Sequence, residues 1–230
     1  MDLGQRRPRR PTAADKTLDV LEALAEQTSH GSYAGGPRIL ALISCHQRAA
    51  CLADQMRPAL EELQKRTNWT VHFALLSGDE AVYAAKLEGD RPYHLASRVG
   101  MSLRLHSTSV GKSILAALPP EETRDLLGRT GLPARTARTH TAPGPLLAEL
   151  DAIRLRGYAE ENEDGVVAVG APVFDHLGQV IGGVSAAALR HTVEAEAVAG
   201  HGRAVTEAAR RISLTLGAPA RRCDLAGPAG

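Results

Sequence analysis

Two short stretches of the sequence have residue types and spacing close to those of known catalytic motifs. Gly111-Lys112-Ser113 matches the end of a phosphate-binding loop, but that loop needs a glycine where His106 stands. Ser185 is followed by Ala186 and Ala187, whereas a nucleophile elbow needs glycine two residues after the serine. The sequence therefore disfavours nucleotide binding and serine catalysis, and it leaves Ser185 as a packed hydroxyl or as a polar anchor in a ligand cavity.

Histidines and cysteines form no motif for metal binding. None of the nine histidines lies three or four residues from another, and only His46 lies near a cysteine, Cys45. The three cysteines show no C-x-x-C spacing and are odd in number, which argues against a zinc ribbon and a disulfide framework. We expect no catalytic residues, no cofactor and no metal, although a metal site assembled only by the fold stays open.

Two further features suit a ligand rather than a reaction. The helical pattern of Thr108 to Leu118 begins with free backbone N–H groups near residues 107–110, and the positive end of a helix favours an anion. The alternative is a plain helix start capped by Ser107 or Thr108. The acidic run 160–164 is either a solvated loop or a source of one carboxylate turned into a cavity.

Hydrophobic periodicity predicts an α+β fold in which helices pack against an antiparallel sheet. Residues 12–27 and 39–67 have helical patterns, the second interrupted by Pro58, so that two helices or a kink at Arg57 are expected. A long helix is expected over 192–216, where Gly200 and Gly202 could bend it. The remaining predictions are strands over 70–76, 80–87, 93–99, 165–174 and 180–188, a strand beginning at 158–161, and helices over 108–118, 121–128 and 145–157.

Composition limits the class of protein further. The 230 residues carry 27 basic and 26 acidic side chains, and only 3% are aromatic, which predicts an aliphatic core and no extended base-stacking surface. Basic residues concentrate at the N-terminal end of the sequence, where a Pro-rich arm contains Arg6, Arg7, Arg9 and Arg10. This arm is expected to be disordered, either as a solvated tail or as a weak, non-specific phosphate contact. No signal peptide or membrane span is expected, and we place the protein in the cytoplasm.

Several ordered blocks resemble the isocitrate lyase regulator (IclR) family of bacterial transcription regulators. They run from about residue 36 to residue 217, and several ordered blocks are far more specific than one motif. The blocks are Ser97-Arg98-Val99-Gly100-Met101, Leu105 to Lys112, Arg156 to Glu161, Ala171 to Asp175 and Gly182 to Ser185.

The resemblance implies a GAF-like effector-binding domain with an antiparallel sheet flanked by helices. It places an effector pocket at the backbone N–H groups of Ser109 and Val110. Glu161 stands where the family often has Asp, and the strand walls would be Ala168, Ser185 and Ala187. Because Ala168 and Ala187 replace polar residues, we expect room for a larger or more apolar ligand.

The resemblance also divides the chain into segments. Residues 1–11 are the basic arm, 12–37 a remnant of a winged helix-turn-helix, 38–67 linker helices, 68–217 the effector-binding domain and 218–230 a disordered tail. Residues 12–27 resemble the first helix of the DNA-binding part, and residues 32–42 the end of its wing and the start of the linker helix. Only residues 28–31 lie between them, which predicts a truncated helical N-terminal segment without a recognition helix.

The leading interpretation is a regulator that senses a small organic acid and forms dimers or tetramers through this domain. Operator DNA is a partner by family analogy, but reading base edges needs a helix in the major groove. One alternative is a protein that forms mixed oligomers with full-length regulators and depletes their DNA-binding dimers. Another is an enzyme on a GAF-like scaffold that depends on Glu161.

Overall fold

The computed structural model describes residues 25–27, 33–35, 52, 54–163 and 165–223. The chain forms two compact units, Met1–Cys51 and Leu52–Gly230. The basic arm and Cys45 therefore lie outside the described residues.

In the first unit, β1 (Ala25–Gln27) pairs antiparallel with β2 (Tyr33–Gly35), with Gln27 opposite Tyr33. The helix expected over 12–27 is therefore wrong for its last three residues, because they are held by hydrogen bonds to a second strand. The segment 12–37, which the sequence predicted to be a remnant of a winged helix-turn-helix, thus contains a two-stranded β-ribbon.

The second unit contains a six-stranded antiparallel sheet. Its strands lie in the order β5-β4-β3-β8-β7-β6, so that hairpins β3–β4 and β7–β8 meet in the middle. The strands are β3 (Thr70–Ser77), β4 (Glu80–Leu87), β5 (Ser102–Arg104), β6 (Ala159–Glu163), β7 (Val166–Phe174) and β8 (Val180–Leu189).

Five helices of the described residues accompany this sheet. They are α1 (residues 54–67), α2 (Ser109–Ala117), α3 (Pro120–Thr130), α4 (Pro143–Arg156) and α5 (Ala195–Thr215). The first stays helical on both sides of Pro58, so the alternative of two separate helices is wrong, and the kink at Arg57 stays a prediction. The expected stop at Gly157 is confirmed, because this residue caps α4 with a φ of 87°, a conformation that favours glycine.

The strand expected over 93–99 is wrong. These residues form an irregular segment, and the strand lies further along as β5. Lys86 explains the difference, because its ammonium group donates to the carbonyls of Leu95 and Ser97, each at 2.9 Å. The segment therefore crosses the end of the sheet and does not pair along β4.

Two apolar layers fix the sheet between helices. On one face, α1 and α5 cover Val71 and Phe73 of β3 together with the strand centres of β7 and β8. On the other face, α2 and α4 cover Ala74 and part of β4, and their own buried residues include Ile114. Strand β3 alternates between these layers, since Val71 and Phe73 face the first while His72 and Ala74 face the second. Both layers are mainly aliphatic, as the composition predicts.

Two glycines of α5 meet different surroundings. A Cβ at Gly202 would lie within 2.6 Å of three ring carbons of Tyr158, whereas a Cβ at Gly200 would meet no atom within 4 Å. The helix is continuous through both positions. Close packing of the helix backbone on the Tyr158 ring therefore depends on Gly202 and not on Gly200.

We predict opposite effects for alanine at these two positions. Gly202→Ala should lower the free energy of unfolding by about 1–3 kcal/mol, because the tyrosine ring must move. Gly200→Ala should raise it by about 0.5–1 kcal/mol, because alanine is the better helix former. Chemical denaturation of the two variants beside the wild type measures both, and equal effects would contradict the packing described here.

Candidate effector-binding site

One cavity of about 190 Å³ lies between the sheet, the start of α2 and the irregular segment. This volume holds several water molecules or one small organic molecule. Its lining comprises His72, Tyr83, Leu95, Ala96, Ser97, Met101, Leu103, Thr108, Ser109, Val110, Arg135, Glu161, Val166, Ala168, Ser185 and Ala187.

Strand register aligns the sheet side of the cavity. Glu161 of β6 lies opposite Ala168 of β7, and Ala168 lies opposite Ala187 of β8. Ser185 lies two residues before Ala187 on the same face, opposite His72 of β3. Since side chains two residues apart share a face, these groups form one wall, and its small alanines leave the space open.

The start of α2 forms the second wall. A Cβ at Gly170 would lie 2.7 Å from the backbone of Ser109 and Val110, so glycine lets the helix end approach β7 directly. Thr108 caps the helix, as the sequence allowed, by accepting a hydrogen bond from the Gly111 backbone N–H at 3.2 Å. The positive end of α2 is thereby fixed against the sheet.

Glu161 occupies this helix end. The backbone N–H of Ser109 donates to Glu161 Oε2 at 2.9 Å, and Glu161 is 8% exposed. Arg135 Nη1 lies 3.5 Å from Glu161 Oε1 and is half-exposed at the edge of the cavity. Residues 160–163 of the acidic run thus belong to β6 and not to a loop, and the carboxylate of Glu161 lines the cavity.

Burial raises the pKa of Glu161 above its ordinary value. Three interactions oppose this shift, namely the Ser109 hydrogen bond and the charges of Arg135 and Lys112, while the charge of Glu163 adds to it. Loss of hydration outweighs the favourable contacts, so the ionised form of Glu161 is disfavoured although its neighbours at the helix end favour an anion.

The loop that carries Arg135 is anchored to the same edge strand. Thr136 and Thr139 both donate their hydroxyls to Glu163 Oε2, at 3.0 and 2.9 Å. His106 Nε2 donates to the carbonyl of Pro133 at 3.0 Å. These contacts hold the loop against β6 and keep the Arg135 guanidinium beside Glu161.

His72 and Tyr83 form the far end of the cavity. Their rings stack with centroids 4.3 Å apart, and His72 Nε2 is hydrogen-bonded to Ser97 Oγ at 2.8 Å. Burial and the charge of Lys86 lower the pKa of His72 to about 3, so this ring is neutral near pH 7. Burial likewise raises the pKa of Tyr83, which keeps its hydroxyl protonated. Among the described residues, His72 Nδ1 is buried and has no hydrogen-bond partner.

Gly111-Lys112-Ser113 has a structural role. A Cβ at Gly111 would lie within 2.7 Å of three backbone atoms of Leu105. Lys112 Nζ is bound to Glu149 Oε1 at 2.6 Å, and Ser113 Oγ donates to the Val110 carbonyl at 2.7 Å. The Lys112–Glu149 pair joins α2 to α4, and Gly111 lets α2 pack against Leu105, which explains the lysine and the glycine without a phosphate.

The part of the chain that the structure describes contains neither a metal site nor a membrane-spanning helix. In that part of the chain, no group of three or more His, Cys, Asp or Glu side chains is placed to hold a metal ion. No helix there is both long and apolar enough to cross a membrane.

Comparison with known proteins decides the family. The model of the bacterial transcriptional regulator IclR C-terminal domain matches residues 48–214, well over half of the chain. The chain belongs to the IclR family. The matched residues include the whole lining of the cavity, which is therefore part of an IclR effector-binding domain.

Three similar proteins support the assignment. XynR, an HTH-type transcriptional regulator of Escherichia coli (strain K12), is 31% identical over 208 residues, which cover 89% of this chain and 82% of XynR. The crystal structure of the Thermotoga maritima IclR is 36% identical with a TM-score of 0.72, covering 89% of this chain and 85% of that one.

The third is a crystal structure of an IclR homologue from Microbacterium hydrocarbonoxydans complexed with 4-hydroxybenzoate. It is 25% identical with a TM-score of 0.67 and covers 88% of this chain and 84% of that one. XynR is a transcriptional regulator, the class of protein that the sequence led us to expect.

All six residues that the IclR resemblance placed in the pocket line this one cavity: Ser109, Val110, Glu161, Ala168, Ser185 and Ala187. Their contact with an effector stays a prediction. Arg135, His72 and Tyr83 also line the cavity but were not predicted from the sequence. The two ring residues could have been found from the alternation of β3 and β4, but no local signal marks Arg135, which reaches the cavity from a loop.

Glu161 gives the IclR domain a specific dependence of stability on pH. Its folded-state pKa is raised, so the stability that protonation contributes is fully present below about pH 4.5 and is lost as pH rises through the folded-state pKa. The melting temperature of the wild type minus that of Glu161→Gln should therefore fall as pH rises from 4.5 to 8. Differential scanning calorimetry measures this difference, and a rise over that range would contradict the burial assigned to the carboxylate.

Proposed function

We propose that this domain senses a small organic acid, with aromatic acids among the candidates, in the cavity between α2 and the sheet. The observation that carries the proposal is the meeting of the positive end of α2, the Arg135 guanidinium and the small side chains of β7 and β8 around one space. These groups suit an anion attached to an apolar body.

Each part of the cavity has a role in this proposal. The N–H groups at the helix start and Arg135 would bind the carboxylate of the ligand. Ala168 and Ala187 would leave room for its apolar body. His72 and Ser185, both nearly inaccessible to solvent, would meet a second polar group such as a hydroxyl. The bound 4-hydroxybenzoate of the Microbacterium homologue is an acid of this shape and makes a suitable first probe.

Binding would change the protein through the elements that meet at the cavity. The ligand would contact α2, β6 and the Arg135 loop, which Lys112–Glu149 and the Thr136 and Thr139 contacts to Glu163 join to the rest of the domain. A ligand that favours one arrangement of these contacts shifts the population toward it. This is the kind of change that a regulator needs.

We predict that two arginines of one loop affect acid binding differently. Arg135→Gln should weaken binding of 4-hydroxybenzoate or a related acid by about tenfold to a hundredfold, because a charge-assisted hydrogen bond is lost. Arg138→Gln is the matched control, since Arg138 donates to the Asn162 carbonyl and does not line the cavity. It should leave the affinity unchanged within about threefold.

Isothermal titration calorimetry of a panel of organic acids against both variants measures the effect, with thermal shift as a second readout. An absence of binding and of thermal shift for the whole panel would overturn the sensing role. Equal losses in both variants would instead show that Arg135 is not the residue that recognises the acid.

We further propose that the domain self-associates in the cytoplasm and that the N-terminal arm contacts DNA weakly. Arg6, Arg7, Arg9 and Arg10 are the bases for such a contact. Arm binding should be non-specific, and its affinity should fall steeply as salt rises, because released counterions drive it. Electrophoretic shift at low and physiological salt tests the arm and light scattering tests self-association. A promoter-specific shift at physiological salt would contradict the predicted loss of the recognition helix.

A further inference from the structure

The groups that suit the carboxylate of a ligand are already bound to a carboxylate of the protein. Ser109 donates its backbone N–H to Glu161 Oε2 at 2.9 Å, and Arg135 Nη1 lies 3.5 Å from Glu161 Oε1. Glu161 is itself nine-tenths buried and lines the cavity. The protein thus supplies its own anion at the end of α2.

We propose that Glu161 is a built-in competitor for this anion site, so that an acid ligand binds by displacing its side chain from Ser109 and leaving it protonated. This inference rests on the proposed function and adds the control of that same site. The displacement breaks the hydrogen bond from Ser109 to Glu161, forms one from Ser109 to the ligand carboxylate and takes one proton from solvent onto Glu161.

The charges in the cavity explain why Glu161 must take up a proton when an acid ligand binds. A ligand carboxylate beside an ionised Glu161 would place two like charges close together at a buried side chain, and one of such a pair becomes protonated. The charged and titratable groups of the described residues that face Glu161 or its cavity are Arg135, Lys112, Glu163, Tyr83 and His72.

These neighbours cannot neutralise a second anion. Lys112 is bound to Glu149 at 2.6 Å, and Glu163 is a further carboxylate that accepts from two threonine hydroxyls. His72 is neutral near pH 7, because its pKa is lowered to about 3. Arg135 already pairs with Glu161, and burial holds the pKa of Glu161 above its ordinary value.

A second observation marks the cavity as a ligand site independently of the helix end. His72 is 1% exposed, and among the described residues its Nδ1 has no hydrogen-bond partner. The ring lines the cavity, and because a buried polar atom without a partner is costly, a ligand hydroxyl that reaches this nitrogen would offset that cost. A hydroxylated acid therefore matches both ends of the cavity.

The measurable consequence is proton uptake on binding. Above the pKa of Glu161, the affinity for an ionised acid should fall by up to about tenfold per pH unit, because each binding event takes up one proton. Titration of the whole chain with 4-hydroxybenzoate in phosphate and in Tris buffer counts the protons, since the two buffers release different heat on ionisation. We expect proton uptake that grows as the pH of the titration rises above the pKa of Glu161, and none for the neutral analogue 4-hydroxybenzamide.

Glu161→Gln imitates the protonated side chain and removes the competing charge. This variant should bind 4-hydroxybenzoate at least about tenfold more tightly than the wild type at pH 8. It should also show no proton uptake. Glu160→Gln is the matched control, because Glu160 lies on the same strand, pairs with Arg156 and does not line the cavity. The control should keep both the affinity and the proton uptake of the wild type.

The outcomes separate this inference from the proposed function. Binding of the acid to the wild type without proton uptake would overturn the inference and leave acid sensing in place. Proton uptake that persists in Glu161→Gln would also overturn it, since another group would then carry the proton. Failure of the wild type and of Glu161→Gln to bind any acid of the panel, at pH 5.5 and at pH 8, would overturn the acid-sensing function and the inference with it. Binding at pH 8 by Glu161→Gln alone would support both.

Discussion

The hydrogen bond from the Ser109 backbone to Glu161 is the contact on which the site depends. It joins the start of α2 to the edge strand β6 across β7, and the helix end can come so close only because residue 170 is glycine. The small side chains of β7 and β8 then leave a cavity under the helix instead of filling the space. The loop that carries Arg135 closes the same edge through hydrogen bonds to Glu163, two residues from Glu161.

This arrangement places a buried carboxylate where a helix favours any anion. Two effects on the pKa of Glu161 therefore oppose each other at this point. Burial removes hydration and raises the pKa, while the hydrogen bond from the start of α2 and the charge of Arg135 lower it. When an internal group and a ligand compete for the same hydrogen-bond donors, the group that binds more tightly occupies the site. That balance suits the sensing role that we propose for this domain of the IclR family.

Much of the fold and the pocket could be predicted from the sequence because the local signals agree with the packing. The apolar, β-branched runs 165–174 and 180–188 and the helix cap at Thr108 depend on neighbours in the chain, and the resemblance placed Glu161, Ala168, Ser185 and Ala187 together. The strand predicted over 93–99 was wrong because Lys86 donates hydrogen bonds to two carbonyls of this segment, a contact that an alternating pattern does not reveal. The helix predicted over Ala25–Gln27 was also wrong, because pairing with a second strand and not the local sequence pattern makes these residues a strand.

The most direct test of this account is the titration of Glu161 itself, followed by carbon-13 NMR of its carboxyl group. The account predicts a pKa above 4.5 in the ligand-free protein and a further rise when the cavity is saturated with 4-hydroxybenzoate. A pKa at or below 4.5 that saturation leaves unchanged would contradict it.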